Sequence, residues 1–132
     1  QWLSENDFAN LRRFVFDTAP AETFPVADRQ VFCDALARPG RLTAALNYYR
    51  ANIPPESWLR PPPELPPITV PTTIIWAGAD AYMSDQLLER SITKVTGPVH
   101  VERLPGVSHW VQQEVPAQVR RLLLESLARA AA

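Results

Sequence analysis

Thr72 to Ala77 is an unbroken β-branched and aromatic run, Thr-Thr-Ile-Ile-Trp-Ala, and such a run suits a strand covered on both faces, as in a parallel sheet under helices. Past it, Ser84 can cap a helix in which Leu87, Leu88, Ser91, Ile92 and Val95 recur at helical spacing until Gly97-Pro98. Val99 to Leu104 predicts a second strand. Pro116 then opens a last helix whose inner face is predicted to carry Val119, Leu122, Leu123, Ser126 and Leu127. The order strand, helix, strand, helix is that of a parallel α/β layer.

Upstream the period is helical throughout. Ser4-Glu5-Asn6-Asp7 predicts a capped helix start, and Phe8, Leu11, Val15 and Phe16 an apolar stripe behind it. Pro25 begins a second helix, which Arg38-Pro39-Gly40 stops. The third runs from about Arg41 to Asn52, with Leu42, Ala45, Leu46, Tyr49 and Ile53 on one face and Tyr48 turned about 100° away. Eight of the 14 prolines fall between Pro54 and Pro71, including Pro61-Pro62-Pro63 and Pro66-Pro67. With many backbone donors missing, that stretch favours an extended path. The expected organisation is thus a helical segment over 1-53, a proline-rich connector over 54-71 and an α/β part over 72-132.

Composition narrows the possibilities. The chain has 132 residues, 46% hydrophobic and 20% charged, as in an ordinary globular domain. A net charge of -1, with basic residues dispersed and no aromatic platform, gives no case for nucleic acid or an anionic membrane surface. No apolar run approaches the roughly twenty residues of a membrane span. Cys33, the single cysteine, excludes an internal disulfide and reads as a packed apolar residue; it fits a reducing compartment, and a cytoplasmic location is the expectation. The opening Gln1-Trp2-Leu3-Ser4 reads as though begun mid-protein.

The chemistry concentrates at the two strand ends. Asp80 follows the first strand and His109 the second, the arrangement by which separate loops bring an acid and a base together. Asp80 could instead merely close a turn after Gly78, and His109 could be a surface residue. His100, inside the second strand, reads as structural. Two histidines and one cysteine give no closed metal site, and the four glycines, Gly40, Gly78, Gly97 and Gly106, are too scattered for a phosphate loop. No metal and no cofactor is expected.

Two parallel strands leave two open edges and a broad apolar surface. Something absent from these residues must complete the sheet.

The segment Ala37-Arg38-Pro39-Gly40-Arg41-Leu42-Thr43-Ala44-Ala45-Leu46-Asn47-Tyr48-Tyr49-Arg50-Ala51 resembles the end of the cap region of α/β-hydrolase-fold epoxide hydrolases. The Asp80 strand and the Gly106-Val107-Ser108-His109-Trp110 loop resemble the acid and histidine loops of that family, and Ser4 to Phe16 is similar to its cap helices. The resemblance implies the C-terminal part of an α/β-hydrolase fold: a helical cap segment, then two parallel strands with flanking helices in a sheet completed by a missing N-terminal part.

It also implies roles. Asp80 would be the catalytic acid, His109 the base and Tyr49 the cap tyrosine that hydrogen-bonds an epoxide oxygen, with Tyr48 as the alternative tyrosine. Trp110, next to the histidine, reads equally as a pocket wall or as ordinary packing. The nucleophilic aspartate, the oxyanion hole and a second cap tyrosine of the family have no counterpart here. Gly78-Ala79-Asp80-Ala81-Tyr82 cannot serve as the nucleophile's turn, because Tyr82 is bulky where a tight elbow wants a small residue. The expected partner is therefore an N-terminal polypeptide carrying the nucleophile, as in a split or cleaved chain, with a small apolar epoxide as substrate and a homodimer of the assembled enzyme as a further possibility. Two alternatives stay open: a haloalkane or haloacid dehalogenase of the same fold, and a non-catalytic binding remnant.

Overall fold

The computed structural model describes residues 2–59 and 64–130. Pro61-Pro62-Pro63 of the expected connector, and Gln1, lie outside the described residues. Two compact units emerge: Gln1–Phe14 with Pro25–Leu65, and Val15–Phe24 with Pro66–Ala132. Residues 15–24 thus group with the strand-bearing part of the chain, although they are contiguous with helices of the other unit.

In the helical unit, a 3₁₀ turn at Trp2–Ser4 leads into α1 (Glu5–Val15), followed by α2 (Val26–Ala37) and α3 (Arg41–Asn52). The expected regular start of α1 does not form. Asn6, Asp7 and Phe8 take left-handed backbone angles, φ 49°, 54° and 60°, so right-handed helix resumes only beyond them. Asn and Asp tolerate this region through local hydrogen bonding, whereas Phe does not. Phe8 is nevertheless buried, and Arg12 ties the turn by donating to the Asp7 carbonyl at 3.0 Å and to its Oδ2 at 3.1 Å. Cys33 is buried within α2, and burial pushes its thiol pKa up, keeping the sulfur protonated and unreactive. Helix α3 has the predicted bounds, with Gly40 in the left-handed conformation before it at φ 78°, but it buries no residue. A short 3₁₀ turn, Pro55–Leu59, follows.

The second unit is built on β1 (Thr72–Ala77) and β2 (Val99–Leu104), joined through α4 (Asp85–Ile92). The strands pair in parallel from Thr72 opposite Val99 to Ala77 opposite Leu104. A bridge between Ile68 and Val95 extends the pairing at the start, and Gly78 N–H to Leu104 C=O at 2.9 Å extends it at the end. Ser84 caps α4 as expected, its hydroxyl accepting from Leu87 N–H at 3.3 Å. Helix α4 is also tied to both strands: the Trp76 indole donates to Asp85 at 2.7 Å, and Arg103 pairs with Asp85 and Glu89.

Beyond β2 come a single turn of helix, α5 (Val111–Glu114), and the long α6 (Pro116–Ala130). Leu104, Val107 and Leu122 form one buried apolar cluster of this unit, with Ile75, Val111 and Val115 packed around them. The inner face of α6 is narrower than periodicity predicts. Leu122 is buried and Ser126 donates to the Thr73 hydroxyl at 2.7 Å, but Leu123 and Leu127 are exposed. Strand β1 is only half-buried along most of its length, and among the described strands only β2 pairs with it, along one edge. No helix among the described residues is long and apolar enough to cross a membrane.

Candidate active site

Parallel strands deliver their loops to one end of the sheet, and ligands in such folds bind outside the strands' carboxyl ends. Asp80 lies three residues past β1 and His109 five past β2, on loops stitched to each other by the Ala79 N–H to Val107 C=O bond of 2.9 Å. Glycine is required twice in this arrangement. Gly106 adopts φ 75°, which turns the chain off β2, and a Cβ on Gly78 would sit 3.0 Å from the Leu104 carbonyl oxygen.

Asp80 closes a turn with one oxygen and faces the histidine with the other. Oδ1 accepts from the backbone N–H of Tyr82 at 2.8 Å and of Met83 at 3.0 Å, closing the turn. Oδ2 faces the His109 imidazole, 2.9 Å from Nδ1. Burial of the carboxyl opposes ionisation, but the Tyr82 N–H, the His109 ring and the Met83 N–H outweigh it, and the pKa falls below the ordinary carboxylate value. Ionised, Asp80 can only accept, so Nδ1 carries a proton, and in the neutral form of the ring the lone pair lies on Nε2. The Asp80 side chain is 9% exposed and that of His109 33%, so the acid is sheltered while the imidazole stays reachable.

Aromatic rings fix the imidazole sideways. Tyr82 and Trp110 meet it edge-on, with centroids 5.0 and 5.2 Å away. Trp110 is itself held, by an edge contact to Phe24 at 5.5 Å and by its indole N–H, which donates to the Thr18 hydroxyl at 3.1 Å. A cavity of about 320 Å³ opens beside the pair, lined by Ile75, Ala77, Asp80, His109, Val111 and Gln112 among others.

Behind the histidine, the Glu114 carboxylate receives the Ser108 backbone N–H, 3.1 and 3.2 Å from its two oxygens, and the Ser108 hydroxyl. No group of three or more metal-ligating side chains occurs among the described residues.

Asp80, His109 and Trp110 therefore come together within one unit. Tyr48 and Tyr49 belong to the helical unit, on α3, where they are 66% and 60% exposed with their rings edge-on at 5.5 Å. Exposure of Tyr49 departs from the packed position that its helical face predicts. Sequence reasoning missed Tyr82, Thr18 and Glu114 as neighbours of the site. In the sequence Tyr82 marks only the bulk that rules out an elbow, and Glu114 carries no signal beyond its place just ahead of Pro116.

No protein-family model matches the chain. It is 32% identical over 125 residues to the AB hydrolase superfamily protein YfhM of Bacillus subtilis, covering 95% of this chain and 42% of that protein. Epoxide hydrolase 3 of Xenopus tropicalis is 32% identical over 88 residues, 67% of this chain and 23% of that protein. Among solved structures, a mutant epoxide hydrolase from Bacillus megaterium, complexed with a naphthyloxy-propane-1,2-diol product, superposes with a TM-score of 0.78 at 26% identity over 96% of this chain and 46% of that one. Cfl2 from Burkholderia cenocepacia, at a TM-score of 0.75 and 21% identity over 94% of this chain and 42% of that one, shares the fold. The chain spans less than half the length of each of these proteins. It belongs to the α/β-hydrolases related to the epoxide hydrolases, and the part of them to which it corresponds is C-terminal.

Proposed function

We propose that this chain supplies the acid, the base and one cap tyrosine of an epoxide hydrolase, acting with an N-terminal polypeptide part that carries a nucleophilic aspartate and the remaining strands. In the first step the nucleophile's carboxylate attacks an epoxide carbon, the C–O bond opens, and the departing oxygen takes the Tyr49 phenol proton. In the second, His109 Nε2 removes a proton from water, and the resulting hydroxide attacks the ester carbonyl and releases the nucleophile. The proton held by His109 returns to the Tyr49 phenolate. The sum is epoxide plus water giving a vicinal diol. Asp80 holds the imidazole tautomer and offsets the charge that forms on the ring. Trp110 would wall a pocket for a small apolar epoxide, and Tyr48 is the alternative tyrosine for substrate binding.

The observation that supports this reading best is the 2.9 Å contact from an ionised, sheltered Asp80 to the inner nitrogen of His109, at the carboxyl ends of parallel strands. An ionised acid so placed leaves Nε2 free to take a proton. The relatives named epoxide hydrolases supply the reaction class.

Diol formation from a styrene-oxide-type substrate by the whole protein tests the reading. His109→Gln and Asp80→Asn should each lower turnover, the latter by about 10⁴-fold as when a triad acid is lost. Halide release from a haloalkane or haloacid with no diol formation would favour a dehalogenase. Unchanged activity in His109→Gln would favour a binding remnant.

A further inference from the structure

We infer that Glu114 is a positioning residue for His109, an inference that rests on the functional reading above. The residues on either side of the histidine are both attached to Glu114. On one side, its carboxylate takes the Ser108 N–H, at 3.1 and 3.2 Å, together with the Ser108 hydroxyl. On the other, its own backbone N–H donates to the Trp110 carbonyl at 2.9 Å, and the Ser108 hydroxyl oxygen lies 3.5 Å from the Trp110 N–H.

Ser108 is 7% exposed, so its two donors have little water to turn to and depend on that carboxylate. A charged acceptor makes these bonds stronger than neutral ones. The result is a closed ring, Ser108–His109–Trp110–Glu114, that fixes the backbone from which the imidazole projects. Val107 C=O, one residue earlier, is already tied to Ala79 beside the acid. The loop consequently has little freedom to rotate Nδ1 away from Asp80. Glu114 does not touch the reacting atoms; it acts through the geometry of the base.

The test uses the whole protein and two readouts: the downfield proton resonance of His109 Nδ1–H, assigned by its loss in His109→Gln, and the division of the kinetic effect between kcat and KM. Glu114→Ala should broaden or abolish the resonance and lower kcat by about 10²-fold, the size expected for a small displacement of a catalytic group, with KM nearly unchanged. Glu114→Gln keeps an oxygen to accept from Ser108 and should restore the resonance and most of the rate.

A folded Glu114→Ala with the wild-type resonance and kcat would overturn the inference. So would a loss of stability in Glu114→Ala, equal in Glu114→Gln, with the resonance retained in both. Should Glu114→Ala fail to fold, Ser108→Ala decides, since it deletes only the hydroxyl: a weakened resonance supports the clamp and an unchanged one refutes it. Failure of the functional reading looks different. Wild type would then form no diol, or diol formation would survive His109→Gln, while the resonance would still report whether Glu114 holds the ring.

Discussion

Asp80 spends its two oxygens on different tasks, and that division explains why a solvent-accessible loop can hold an ionised acid in register with a histidine. Backbone donors from Tyr82 and Met83 fix one oxygen, and the second is left with one direction, toward Nδ1. The same bonds depress the carboxyl's pKa, so the folded state binds this proton more weakly than the unfolded chain. The stabilisation is therefore complete above the unfolded value near about 4 and is lost as the pH falls through the lower folded value. Denaturant unfolding should accordingly show wild type more stable than Asp80→Asn at neutral pH, with the gap closing as the medium is acidified below about pH 4. A gap independent of pH would mean that the amide's geometry, and not the charge, is responsible.

At this scale the strand-end acid and histidine were legible, because position after a β-rich run is written in the sequence. Glu114 and Tyr82 were not. Their contacts with the histidine loop exist only once α5 turns back on β2 and the Asp80 turn closes, and nothing local encodes either.

Among the elements, the bounds of α2, α3, β1 and β2 follow from periodicity and from Pro and Gly placement. Periodicity describes which residues share a face. It does not say whether that face has a partner. Tyr49, Leu123 and Leu127 sit where a helical wheel puts core residues and yet are exposed. The left-handed turn at Asn6 to Phe8 was equally hidden, since Phe at such an angle contradicts its own preference and must be held by burial and by Arg12. One glycine makes a sharp prediction. A Cβ on Gly97 would lie 2.2 Å from the Thr69 carbonyl oxygen and 3.0 Å from that of Val70, where the Ile68–Val95 bridge leads into the strands. Both obstacles are backbone and cannot swing aside. Gly97→Ala should destabilise the fold by about 1–3 kcal/mol in urea titrations, the usual cost of overpacking; an unchanged midpoint would show that the entry to the sheet is looser than described.

For the molecule as a whole, the deciding feature is uncovered apolar surface. The two parallel strands among the described residues are too few for an independently stable sheet; in the strand-bearing unit Leu123, Leu124 and Leu127 on α6 are exposed, and in the helical unit Tyr48, Tyr49 and Ile53 on α3 are exposed. The relatives are more than twice as long, which accords with a sheet completed by further chain. Produced alone, the 132 residues should bind a hydrophobic dye such as ANS strongly; co-produced with a part carrying the nucleophile and the other strands, they should elute as one stoichiometric complex that does not bind it. A dye-free monomer of the chain alone would contradict the shared sheet. The α/β class was legible because strand and helix alternate along the chain. The grouping of residues 15–24 with the strands was not, because it depends on Phe16, Phe24 and Thr18 meeting Trp110 and one another across some ninety residues of sequence.

Mass spectrometry of the whole protein in which His109 is replaced by Gln, after exposure to excess epoxide, tests the central claim most directly. If His109 activates the water that clears an ester, the variant should gain the mass of one epoxide per active site and keep it, while wild type returns to its unmodified mass and releases diol. No adduct in the variant, or an adduct that clears at the wild-type rate, would contradict the account.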